Sequence, residues 1–174
     1  MLGEGRPSAL DTVGMHEAVG EHWKMRDFGR AALVLAALDR TPWEEHDPLV
    51  EQLVRRGEIG EQESLLAMLA LLPGPERFAD AAIDACRTNS ASVFAAIALD
   101  NPYVRDHFPE ANFNQLVLKA IFIGLPVERI VGLEERVNAE LVRMVRDYAD
   151  ERRAAGRTVP DDVGRVEGLM EGRS

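Results

Sequence analysis

Seven polar residues fall close together in the second half of the chain: Asn89, Asn101, Tyr103, His107, Asn114, Gln115 and Lys119. Carboxamides, a phenol, an imidazole and an ammonium in one region could orient a carboxylate or a phosphate-bearing small molecule through hydrogen bonds and one positive charge. The last three sit within FNQLVLKAIFI, a run otherwise built from Leu, Val, Ile, Phe and Ala. A helix that only fills a core leaves such groups out, because an amide or ammonium buried without partners costs about 1–3 kcal/mol or more. Gln115 and Lys119 are four residues apart and share one helical face, whereas Leu116, Val117 and Ala120 occupy the neighbouring one. The seven are therefore the candidate ligand-binding residues. A competing account uses them structurally: Asn and Gln cap helices and pin loops, Lys119 runs its stem along apolar surface to water, and Tyr103 sets its hydroxyl at the edge of a core.

No catalytic pattern accompanies them. Paired carboxylates and a Ser/His or Cys/His dyad are missing, which argues against hydrolysis and covalent catalysis. His16, His22, His46 and His107 are scattered and form no HExxH, so no metal site is expected, and Glu44, Glu45, His46 and Asp47 read as a solvated acidic loop. Gly3, Gly5 and Gly14 follow no strand, and no GxxxxGK[ST] occurs, so nothing cradles a nucleotide and no cofactor is implied. Cys86 is the single cysteine; within ADAAIDACRT it reads as a small buried hydrophobe in a reducing compartment. Asp147 and Tyr148 beside Arg152 and Arg153 read as surface ion pairing around a core anchor.

The elements that must position these residues are helices. Pro and Gly punctuate the chain, and no apolar run alternates at period two for long. The patterning predicts helices over about 8–24, 28–38, 48–56, 61–72, 76–87, 91–98, 111–123, 127–131 and 139–155, with the AALVLAAL of the second as a central core helix. Gly57 and Gly60 are expected to close the third, Pro73-Gly74-Pro75 to stop the fourth, and Asn89-Ser90 to cap the sixth. The expected class is all-α, an array of short helical hairpins resembling HEAT repeats or an α-α superhelix, although no period of about 40 residues recurs. An N-terminal helix over 1–25, a helical body over 26–161 and a flexible tail over 162–174 complete the expected organisation, the tail being polar and rich in Gly.

A formal charge of −10 and a pI near 4.9 set the summed field against phosphate backbones and anionic headgroups, which excludes nucleic acid as the expected partner. The first residues lack a basic leader followed by an apolar segment, and no window approaches eighteen uninterrupted apolar residues, so a cytoplasmic protein is expected, with docking to a membrane partner left open.

At RTN (87–89), ALDNPY (98–103), FNQLVLKAIFIGLPVERIVGLEER (113–136) and ELVRMVRDYADERRAAGRTVP (140–160) the chain resembles the EboA-domain family of bacterial and algal gene clusters tied to secondary metabolite production and export. The likeness runs from about Arg26 to Asp161. It implies a helical protein that works beside enzymes and a membrane prenyltransferase in handling or moving a metabolite, with no reaction of its own assigned. Polar positions that match are Asn89, Asn101, Tyr103, Asn114, Gln115, Lys119, Asp147, Tyr148 and Arg153. The chain has Val104 where the family often has a second Pro after NPY, and its tail beyond Val163 departs from the pattern. The expectation is a non-catalytic small-molecule-binding or scaffold protein whose partners are a metabolite, pathway enzymes or both. The alternatives are a cyclase or isomerase of natural-product biosynthesis using Lys119, Tyr103 and His107, and a HEAT-like protein-protein adaptor, which would show an exposed apolar groove.

Overall fold

The computed structural model describes residues 25–172. The expected helix over 8–24 lies outside the described residues. Among the described residues ten α-helices and four short 3-10 turns follow one another, and no strand occurs. The helices are α1 (Met25–Arg40), α2 (His46–Arg56), α3 (Ile59–Ala67), α4 (Ala79–Ala85), α5 (Ala91–Ala98), α6 (Pro102–His107), α7 (Glu110–Ile123), α8 (Leu133–Arg136), α9 (Ala139–Ala154) and α10 (Asp161–Glu171).

Their ends follow from local chemistry. Glu58 and Glu61 form a reciprocal capping box that starts α3. Ser90 Oγ accepts from the Val93 amide at the head of α5, and Asn138 Oδ1 accepts from the Leu141 amide at the head of α9. Gly124 ends α7 at φ 77°, where its amide and that of Leu125 close onto the carbonyls of Ile121 and Ala120.

α3 lies at the centre, packing against α1, α2 and α5, while α7 packs against α5 and α9, and α10 against α9. Helices therefore meet their first or second neighbours in the chain, the local arrangement expected of a helical array. Leu65, Leu66, Met68, Leu69, Phe78, Phe94, Ile97, Phe113, Leu116 and Ile121 fill the interior. Each such side chain contributes about 1.5–3 kcal/mol on burial.

Several expectations are corrected. The apolar run of α1 is peripheral rather than central: Ala31 and Leu38 are buried, yet Leu33 is 72% exposed, because α3 occupies the middle. Gly60 does not close α2 but lies in the first turn of α3, where the Arg30 guanidinium donates to its carbonyl at 2.9 Å. The helix expected over 61–72 breaks at Met68 into a 3-10 turn over Leu69–Leu71, and the short helix expected over 127–131 is a single 3-10 turn, Val127–Arg129. His46 is no solvated loop residue. It is 6% exposed, and its Nε2 lies 2.9 Å from the Leu38 carbonyl and 3.0 Å from that of Thr41, so this nitrogen carries the proton and ties the end of α1 to the start of α2. The tail expected to be loose is helical over Asp161–Glu171 and buries Val163 and Val166 beside α9.

Candidate functional site

α7 divides its polar residues between two faces. Asn114 points inward at 1% exposure, and its carboxamide exchanges two hydrogen bonds with that of Asn138, each 3.1 Å. Asn138 also donates to the Arg136 carbonyl and caps α9, so this pair fixes α7 against the start of α9. Gln115, the next residue, is exposed, and Lys119 one turn later is half-buried.

The Lys119 ammonium donates to the carbonyls of Cys86 and, at 2.7 Å, Thr88, in the turn between α4 and α5. It lies 4.7 Å from the centre of the Phe94 ring, whose electron-rich face attracts a cation. Cys86 below it is inert: burial pushes its thiol up to about 12, and the Lys119 charge offsets only part of that rise.

Asn101 and Tyr103 belong to a different place. Asn101 is 2% exposed; it donates to the carbonyls of Leu66 and Ala96 at 3.0 and 3.1 Å and accepts from the Tyr103 amide, capping α6 while holding it to α3 and α5. The Tyr103 hydroxyl donates to the Pro75 carbonyl at 2.7 Å, and burial keeps its proton on well beyond the ordinary phenol range. His107 packs at a tilt of 44° against the Tyr103 ring with centroids 4.7 Å apart. The junction before α6 carries backbone strain as well: Asp100 adopts φ 51°, donates its amide to the Arg129 carbonyl and pairs its carboxylate with the Arg129 guanidinium. Val104 is fully buried.

Three of the seven candidates, Asn89, Gln115 and Lys119, meet at a cleft of about 430 Å³ between the start of α5, the C-terminal half of α7 and α9. Its walls are mostly apolar: Phe94, Leu118, Phe122, Ile123 and Tyr148. Phe122 is 67% and Ile123 37% exposed at its rim. Phe94, Gln115 and Lys119 also line a second cleft of about 250 Å³, which Cys86, Phe108 and Asn112 share. Asn101, Tyr103, His107 and Asn114 line neither. The volume of the larger cleft lies in the range of small-molecule sites, although it opens to solvent on one side.

The apolar walls escaped the sequence reading because FIG at 122–124 looks like the end of a core stripe. The signal that could have found them is register: Phe122 follows Leu118 by four and Lys119 by three, placing it on the outward face with Gln115. Arg136 was also missed. Its guanidinium donates to the carbonyls of Val104, Arg105 and Phe108 and covers the Phe113 ring at 4.3 Å, closing the C-terminal end of α6. The approach is close: a Cβ on Gly132 would lie 2.6 Å from Arg105 Cγ, so only glycine fits there.

Among the described residues no group of three or more His, Cys, Asp and Glu is placed to hold a metal ion, and no helix is long and apolar enough to cross a membrane. No curated protein and no solved structure matches the chain. A family model described as metabolite traffic protein EboA matches residues 10–168, from before α1 to within α10, which the likeness at 26–161 had placed outside it. With nearly the whole helical body inside that match, the chain belongs to the EboA family.

Proposed function

We propose that the protein is a non-catalytic helical carrier or scaffold of a metabolite pathway, and that it holds a small molecule in the cleft between α5, α7 and α9. The observation that carries this reading is the cleft itself: about 430 Å³, walled by aromatic and aliphatic side chains, with Lys119, Gln115 and Asn89 at its polar end. Such a site binds by shape and apolar contact, and a few placed polar groups fix orientation. The family description, metabolite traffic, fits a protein that binds and releases rather than converts.

The cyclase or isomerase alternative gains no support from these placements. Tyr103 and Lys119 direct their polar hydrogens to different backbone carbonyls, and neither Tyr103 nor His107 lines a cleft with Lys119. The adaptor alternative is favoured by one feature, the exposed Phe122 and Ile123 at the rim.

Native mass spectrometry of the full chain purified from its own host tests the carrier reading. A bound small molecule should accompany the wild type and be missing from Phe122→Glu. If the wild type carries nothing, and Phe122→Glu instead abolishes capture of a protein partner, the adaptor takes its place.

A further inference from the structure

We infer that the guest of this cleft is an anionic amphiphile: a compact apolar body with a single carboxylate-like end held at Lys119. The inference rests on the carrier reading above and adds the chemical class of the ligand.

The charge distribution points this way. The chain carries a net −10, yet among the described residues no carboxylate lines the larger cleft. Lys119 is the charged side chain in its wall. Behind Tyr148 stands a second cation: Arg152 donates to the Tyr148 hydroxyl at 3.3 Å, with its guanidinium carbon 5.7 Å from the ring centre. A cleft with one cation and, among the described residues, no acid in its lining, on a chain of net negative charge, selects against cationic guests and favours an anion.

The partners of Lys119 sharpen the argument. Its ammonium has three N–H donors, and backbone carbonyls of Cys86 and Thr88 take two of them. Carbonyls satisfy hydrogen bonds without cancelling charge. Among the described residues no carboxylate forms an ion pair with Lys119. A third N–H donor and a charge that no carboxylate among the described residues cancels thus remain, beside Phe94 and Leu118. Most other cations on this surface are arginines already paired, as Arg143 is with Glu140 and Asp147, and Arg146 with Glu167. The apolar body then rests on Phe94, Leu118 and Tyr148, with Phe122 and Ile123 over its far end.

A matched pair of fluorescent probes tests this: 1-anilinonaphthalene-8-sulfonate and N-phenyl-1-naphthylamine, the same aromatic body with and without an anion. At low ionic strength the wild-type chain should bind the sulfonate about tenfold more tightly than the neutral amine. Gln115→Glu puts a carboxylate beside Lys119 at an exposed position; it should weaken sulfonate binding about fivefold and shift amine binding by less than about twofold. Lys119→Met should remove the preference. Because Lys119 also secures the turn after α4, amine binding by that variant reports whether the cleft has survived. Lysine-labelled protein gives an independent readout, since Lys24 is the only other lysine: the Lys119 side-chain NMR signal should move with the sulfonate and stay put with the amine. Binding of neither probe would overturn the carrier reading itself. Equal binding of both, or a preference untouched by Gln115→Glu, would overturn the anionic class and leave the cleft as a neutral apolar site.

Discussion

Asn114 and Gln115 are consecutive carboxamides on one helix, and the fold treats them in opposite ways. Asn114 is buried and turns both polar atoms to Asn138, so its chemistry is consumed in joining α7 to α9. Gln115 stands at the cleft among apolar walls, beside an ammonium that no carboxylate among the described residues pairs with. The same contrast separates the Asn101 and Tyr103 junction from the Lys119 region. In the first, the Asn101 carboxamide and the Tyr103 hydroxyl serve a helix end or a backbone carbonyl; in the second, donors and one charge remain at an open surface. Polarity inside an apolar helix is thus no single signal, and what distinguishes the two cases is where the partner sits.

Breaking the inward group should cost stability and spare the cleft. Asn101→Leu carries the largest expected effect: it removes the α6 cap and takes the Asn101 donor from the Leu66 and Ala96 carbonyls, a loss of about 3–4 kcal/mol in urea unfolding. Asn114→Leu should cost about 2 kcal/mol, and a double-mutant cycle with Asn138→Ala should show a coupling of about 1 kcal/mol. Strict additivity would mean that the two carboxamides do not act as a pair. Tyr103→Phe loses one hydrogen bond to Pro75 and should cost about 1 kcal/mol, with the binding of aromatic probes unchanged. On the outward face the expectation reverses: Gln115→Ala should shift stability by less than about 0.5 kcal/mol. A larger loss would place Gln115 with the inward group.

The effect that is absent at neutral pH concerns Cys86. Its thiol ionises near 9.0 in an unfolded chain and near 12 in the folded one, so the folded form holds the proton more tightly. The unfolded state then releases that proton first as pH climbs through 9.0, and stability contributed by the neutral thiol is present below that pH and declines toward about 12. Alkaline unfolding of Cys86→Ala, compared with wild type, should lack this component of the slope.

Much of this architecture was readable from residue order alone. The 91–98 helix emerges with the bounds expected of it, α9 ends one residue short of its expected end, and Pro73-Gly74-Pro75 separates α3 from α4 as proline chemistry requires. Depth was not readable. AALVLAAL looks like a central helix, but an apolar run specifies what can be buried and not which helix arrives in the middle. The final helix was hidden by Gly164 and Gly168, poor helix formers, although Val163, Val166, Leu169 and Met170 trace one face after Pro160. Asn114 could be singled out because amides are rare in such runs; its partner, 24 residues away, could not. The cleft was illegible for the same reason, since Asn89 reaches it from the turn before α5 and Tyr148 from α9.

The grip of Lys119 on the turn after α4 has a thermodynamic corollary. A free lysine must give up rotamer entropy when it grasps a ligand, about 0.5–1.5 kcal/mol. Here folding has already immobilised the side chain through two carbonyls, so association pays little to order it. The remaining entropic penalty falls on the incoming molecule, and stiff, ring-bearing compounds should outcompete flexible chains of equal area.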